Sequence, residues 1–281
     1  MSTFAPDLGN NMDFSVLLSV YSKEHPQYLQ ESLDSIFGQT LPPTEVVLVC
    51  DGPLTEGLDL IIEHSAKQHP EMKIVRLPQN GGLGKALQEG LRYCSYEVVA
   101  RMDTDDICKP DRFETQIHYM EEHPETDVLG AWIDEFLGDT SHVISTRKLP
   151  ESHEEIIAFG KKRNPINHPS VVFRRSAVEK AGSYRHFLMF EDYDLWVRMI
   201  LQGARFHNIQ RSLLFFRMSN DFFFRRGGRL YLRSEIRLQR LFHQLHYITW
   251  GRMVKNILIR TMMRCVPNGC RQKAYLLFLR K

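Results

Sequence analysis

The chain has 281 residues, 43% of them apolar and 25% charged, enough for one sizeable core or two small ones. That composition excludes intrinsic disorder, collagen-like repeats and low-complexity polymers. The formal charge of +2 conceals a division: Arg225 to Lys281 carries 14 Lys/Arg against one acid, Glu235, so the rest is net acidic by about 11. Such asymmetry implies an acidic globular body joined to a cationic segment with a different task.

Residues 1–12 are polar, lack the basic cap and apolar core of a signal peptide, and read as an N-terminal extension. Phe14 to Val20 reads as a buried strand, followed by a helix over Pro26–Phe37 with proline in its first turn and Leu29, Leu33, Ile36 and Phe37 on one face. Strands over Glu45–Cys50, Lys73–Leu77 and Glu97–Met102 alternate with helices over Leu58–Gln68, Leu83–Tyr93 and Pro110–Glu122. Strand–helix alternation with short links predicts an α/β fold, a mostly parallel central sheet with helices on both faces. Beyond residue 127 the pattern loosens. Strands are expected over Val128–Phe136, His142–Lys148 and Ser170–Phe173, and a helix over Phe190–Gln202. Basic helices follow over Arg229–His246 and Thr249–Arg264, with Pro267-Asn-Gly269 as a break. The longest uncharged stretch of the tail, residues 241–251, is well short of the roughly 20 residues that span a bilayer, so no crossing is expected. Five cysteines without zinc-type spacing read as reduced thiols of a cytosolic protein.

In an open parallel sheet, ligands bind at the carboxyl ends of the strands. Three acidic features fall there: Asp51 after the second strand, Asp103, Asp105 and Asp106 after the fourth, and Glu191-Asp192 at the opening of the late helix. Carboxylates gathered in one crevice repel unless a cation joins them. Without His or Cys beside them, hard oxygen ligands favour Mg²⁺ or Mn²⁺ and hence a phosphorylated ligand. Simpler readings exist for each feature taken alone. Asp51-Gly52 suits a turn, and the acids of 103–106 and of 191–194 suit caps at the positive end of a helix dipole. Asn80-Gly-Gly-Leu-Gly-Lys85 fails the Walker pattern and the dinucleotide fingerprint, and reads as a glycine turn feeding a helix N-terminus. His168, beside Pro169, reads equally as a contact for a bound phosphate ligand or as a structural loop residue, and Trp196 reads as core.

With these motifs in order over about 200 residues, the chain resembles a family 2 glycosyltransferase of the GT-A fold, similar to amylovoran-type enzymes of bacterial exopolysaccharide, capsule or O-antigen synthesis. The carriers are Ser15–Tyr21, Val47–Pro53, Asn80–Gly90, Met102–Asp106 with Pro110-Asp-Arg112, Asn167–Ser170 and Phe190–Trp196. The resemblance implies a GT-A domain over residues 13–225. Within it, Ser19, Val20 and Tyr21 would meet the base and ribose of a nucleotide-sugar donor, UDP by default, and Asp51 would hydrogen-bond the base. Asp103 and Asp105 would touch ribose and diphosphate and hold Mg²⁺ or Mn²⁺. Asp192 would be the general base. Arg217, or the pair Arg225-Arg226, would steady the departing diphosphate. Cys50, Pro53 and Gln88 depart from the common family pattern, the first two beside the base-recognition acid.

Residues 226–281 interleave Arg and Lys with Ile, Leu, Phe, Met and Trp250 and read as an amphipathic association segment (from 229 on) for an anionic membrane surface. This implies a cytoplasmic enzyme peripheral on the inner face of the cell membrane, with a saccharide or lipid-linked saccharide as acceptor. Packing of the basic helices on the domain is the competing reading. Nucleic-acid binding is not expected, because the catalytic body is acidic and no known module appears. Two other functions compete. An aspartate-based phosphotransferase or phosphatase would want its acids after the first core strand, and a non-catalytic membrane adaptor would bind no nucleotide.

Overall fold

The computed structural model describes residues 12–218 and 228–265. Strands β1 (Phe14–Val20), β2 (Glu45–Cys50), β3 (Met72–Arg76) and β4 (Val98–Arg101) pair in parallel in the order β3-β2-β1-β4. Helices α1 (Pro26–Phe37), α2 (Glu56–Gln68) and α3 (Leu83–Leu91) connect them. The strands are unbroken apolar runs because both sheet faces are covered. Side chains alternate along β1. Phe14, Val16 and Leu18 enter a core with Leu29, Leu33 and Ile36 of α1 and with Ile117 of α4 (Arg112–Glu122). Leu17 points the other way and joins Val47 and Val49, Leu87 and Leu91 of α3, and Trp196 and Met199 of α7 (Glu191–Leu201). The parallel sheet with helices on both faces is therefore as expected.

The second half continues the same sheet in mixed directions. β8 (Val172–Arg174) lies antiparallel to β4, and β6 (Val128–Phe136) antiparallel to β8. β9 (Phe206–Arg217) runs parallel to β6, while β5 (Ile107–Cys108) and β7 (Val143–Arg147) pair antiparallel with β9 and β6. The sequence pattern does not reveal β9. Polar residues interrupt its alternation, and its register against β6 shifts on either side of Trp132, so no single period survives. Short helices α5 (His153–Gly160) and α6 (Arg175–Lys180), and a 3₁₀ turn at His168–Ser170, were likewise too brief to carry a periodic signal.

The basic helices form, and they pack. In α8 (Gly228–Gln244), Leu238 and Phe242 stand four apart on one face and are buried against Phe187, Phe190, Tyr193 and Val197. Tyr247 and Ile248 join that cluster just before α9 (Trp250–Cys265). Asn256 of α9 donates to the Lys161 carbonyl at 2.9 Å and to Gln239 of α8 at 2.8 Å. Among the described residues no helix is long and apolar enough to cross a membrane. Cys50, Cys94 and Cys108 are buried free thiols.

Candidate active site

Strand order reverses at β1: the chain runs outward through β2 and β3, then returns to place β4 on the other side. Crevices at such a reversal, outside the carboxyl ends of the strands, are where open α/β sheets bind ligands. The expected donor residues converge there. The Val20 carbonyl accepts from the Asp51 backbone N–H at 2.8 Å, and the Ser19 carbonyl accepts from the Thr104 hydroxyl at 3.4 Å. The end of β1 thus touches the loops after both β2 and β4, with Tyr21 exposed beside them.

Asp51 is 3% exposed, and its side chain is committed to the glycine turn. Its two carboxylate oxygens accept from the backbone N–H groups of Gly81 (2.7 Å) and Gly82 (2.9 Å), while Asn80 donates to its carbonyl at 3.1 Å. Gly82, with φ of 84°, caps the N-terminus of α3 in a conformation other residues resist. Gly84 has a different reason: a Cβ there would stand 2.4 Å from the Arg185 carbonyl oxygen and 3.2 Å from Cβ of Glu191. The base of α3 is thereby pressed onto the start of α7, and Asp51 and Glu191 sit at opposite sides of one turn.

Asp103, Asp105 and Asp106 do not cap a helix, because β5 intervenes and α4 is capped by Asp111. They bend over the end of β4, one oxygen from each lying within 4.8 Å of the others. Arg101, 1% exposed, donates from both terminal nitrogens to the two oxygens of Asp103, at 2.9 Å for Nη1. Buried guanidinium is costly unless paired, and the negative charge of Asp103 holds Arg101 above its ordinary pKa against that desolvation. Asp106 is fully buried: Oδ1 accepts from the Arg217 backbone N–H at 2.9 Å and Oδ2 has no hydrogen-bond partner. Burial, then the charges of Asp105 and Asp103, push its pKa well above the usual carboxylate value. The unpartnered oxygen and an all-oxygen donor set with no sulfur or imidazole fit a hard divalent cation.

Arg217, expected at the donor diphosphate, ends β9 against this loop. Nε donates to the Asp105 carbonyl at 2.8 Å, Nη1 to the Gly138 carbonyl at 3.4 Å, and Nη2 pairs with Glu31 of α1. The guanidinium is sandwiched by Tyr28 and Phe136, 4.1 and 4.7 Å from the ring centres. These contacts fix the aspartate loop. Arg225 and Arg226, the other candidates, lie outside the described residues.

Asp192 stands in the first turn of α7, where the helix dipole favours a carboxylate. Its Oδ1 accepts from the Tyr193 N–H at 2.7 Å and its Oδ2 from Asn164 at 2.5 Å. Burial raises its pKa, while those hydrogen bonds and the charges of Arg101 and Arg147 hold it down. Burial, then the Asp192 charge, pushes Glu191 to about 7. The Arg101 charge therefore reaches Asp192 as well as Asp103. Glu191, Asp192 and Asp194 stand in the first turn of α7, where the simpler helix-dipole reading places them. Burial, and then the Arg101 charge, hold the His168 pKa far below its ordinary value, and the ring pairs with Tyr184 at 3.0 Å. That pairing fits the structural of its two readings. The pattern did not disclose Arg101, Asn164 or Arg147; the position of Arg101, two residues before Asp103, was the only local hint.

Comparison with known proteins agrees with this geometry. The family model of glycosyl transferase family 2 matches residues 15–182, which include Asp51 and the aspartate loop. The amylovoran biosynthesis glycosyltransferase AmsE of Erwinia amylovora is 45% identical over 262 residues, 93% of this chain and 97% of its own. The UDP-Gal:alpha-D-GlcNAc-diphosphoundecaprenol beta-1,3-galactosyltransferase of Escherichia coli is 35% identical, covering 95% of this chain and 97% of its own. The mannosyltransferase PcManGT of Pyrobaculum calidifontis, solved with GDP-Man and Mn²⁺, superposes with a TM-score of 0.63 at 16% identity, over 98% of this chain and 78% of its own. That last likeness is one of fold alone. With the crevice, the family match and two near-full-length relatives in agreement, the chain belongs to glycosyl transferase family 2 and is a glycosyltransferase.

Proposed function

We propose that this enzyme transfers a sugar from a nucleotide diphosphate donor, by default a UDP-sugar, to a saccharide or lipid-linked saccharide acceptor in surface polysaccharide synthesis, inverting the anomeric centre. The observation that carries the reading is the cluster of Asp103, Asp105 and Asp106 at the strand-order reversal, with Asp103 paired to the buried guanidinium of Arg101, whose charge also reaches Asp192. The backbone of Ser19 and Val20, with Tyr21 and the Asp51 turn, forms the floor on which base and ribose lie. Asp192 takes the proton of the acceptor hydroxyl. The hydroxyl oxygen then attacks the anomeric carbon from the face opposite the diphosphate, and the bond from that carbon to the phosphate oxygen breaks. A positioned base of this kind contributes about 10²–10⁴-fold. Asp105 with Asp103 would hold Mg²⁺ or Mn²⁺, which neutralises charge on the leaving diphosphate. Arg217 keeps the aspartate loop in place for that task.

The relatives support the acceptor class. One is an amylovoran enzyme and the other acts, by its name, on a diphosphate-linked lipid. For attachment to the cytoplasmic face of the cell membrane, the support is α9. Trp250, Leu258, Ile259 and Met262 are each about half exposed or more, beside Lys255 and Arg252. The test of the whole reading is a screen of UDP-, GDP- and dTDP-sugars with Mn²⁺ or Mg²⁺, scored by released nucleotide diphosphate. Turnover with one donor, abolished by Asp105→Asn and by chelation, is expected; no release with any donor would count against it.

A further inference from the structure

A cavity of about 770 Å³ opens between α8 and the segment that leads into α7. Its size is that of a ligand pocket, and its walls are unusual in charge. Arg185, Arg233, Arg237 and Arg240 line it, with no ion pair to any described residue. The acid in the wall, Asp194, is already spent on Arg198, whose Nε lies 2.9 Å from its Oδ2. Glu235, the sole acid of α8, is paired with Arg260. Arg233, Arg237 and Arg240 are four and three apart and share one helix face, where like charges repel unless an anion lies between them. Arg237 is steadied by stacking over Phe187 at 5.3 Å. Ile236 and Leu241 add apolar wall beside the guanidinium groups.

Converging forks of this kind suit phosphate oxygens, which guanidinium groups bind in pairs of parallel hydrogen bonds. The donor diphosphate is proposed to lie at Asp103 and Asp105, neither of which lines this cavity, while Arg185 and His186 of the cavity wall pack on Gly84 and Gly82 of the glycine turn. The cavity's wall residue Asp194 belongs to α7, the helix whose first turn carries Asp192, and Arg185 borders both the cavity and Gly84 of α3, so the cavity adjoins the proposed acceptor site. We propose that this arginine cavity binds the diphosphate that joins the acceptor sugar to its lipid, so that the acceptor hydroxyl is presented to Asp192. The proposal rests on the reading of Asp192 as the acceptor base, and it adds the acceptor's chemistry: a sugar on a lipid diphosphate, not a free saccharide.

Farnesyl diphosphate serves as the probe, titrated calorimetrically into the full chain with Mn²⁺ and saturating UDP, and farnesol as its uncharged partner. The expected result is binding of the diphosphate and not of the alcohol, at least tenfold weaker in R233A/R237A and partly restored in R233K/R237K. UDP affinity is expected to be unchanged in all variants, which shows that they fold. Equal affinity in wild type and R233A/R237A would overturn the proposal, as would competition between UDP and the probe in the absence of saturation. A headgroup site is told apart with phosphatidylglycerol vesicles: if R233A/R237A loses vesicle binding while farnesyl diphosphate binds as before, the proposal is wrong. Should UDP fail to bind while farnesyl diphosphate binds through these arginines, the donor reading falls and the cavity's assignment stands.

Discussion

Asp192 is held between opposing influences, and that balance sets how the enzyme should respond to pH. Burial raises its pKa; the Asn164 amide and the Tyr193 N–H favour the ionised form. As the proposed base, Asp192 works only when ionised, so turnover is expected to fall as pH drops through its pKa, with the acid limb above the ordinary aspartate value. Asn164→Ala removes one group that favours ionisation. The acid limb of kcat/KM is therefore expected to move to higher pH, with donor affinity unchanged; a limb that stays put would mean that Asn164 does not orient the base. Asp192→Asn should abolish turnover while UDP still binds by calorimetry, and near-normal transfer would remove it from the role. The aspartates were legible because they crowd into short motifs. Their keepers were not: Asn164 lies 28 positions from Asp192, and Glu31 lies 186 from Arg217. No periodicity or spacing signals such partners before the chain has folded.

Helix α3 illustrates the same division at the level of elements. Its existence and its glycine opening can be read from residues 80–91, yet the reason for Gly84 is the Arg185 carbonyl a hundred residues later. The four parallel strands were equally plain, because each is a short apolar run bounded by turns. β9 was not, since its pairing with β6 needs register shifts that no alternation predicts. Gly84→Ala must push α3 away from the start of α7. A loss of about 1–3 kcal/mol in denaturant unfolding is expected, of the size that overpacking costs. Turnover should fall with it, because Glu191 is the next atom group that the new methyl meets.

Across the whole molecule, the cationic C-terminal segment is also structural. Phe242, 1% exposed, closes the cluster that covers Phe187, Phe190 and Tyr193. Phe242→Ala is expected to cost about 3–5 kcal/mol in an unfolding titration, a large share of a typical domain's 5–15. Charge asymmetry along the sequence did point to a segment with its own task, but not that one face of it would be core. Membrane attachment should be tested on the exposed face of α9. Trp250→Ser with Leu258→Gln and Met262→Gln should lower sedimentation with anionic vesicles and leave the melting temperature within a few degrees. Retained sedimentation would direct attention elsewhere on the surface.

The seam between α7 and α8 bears on how this enzyme should be trimmed for the bench. The family match stops at residue 182, before α7, and a chain ended at the last sheet strand would leave Tyr193 and Val197 facing water. Such a fragment would expose one side of the very helix that carries Asp192 and would be prone to precipitate. A working minimal enzyme should keep the chain through Cys265, the end of α9.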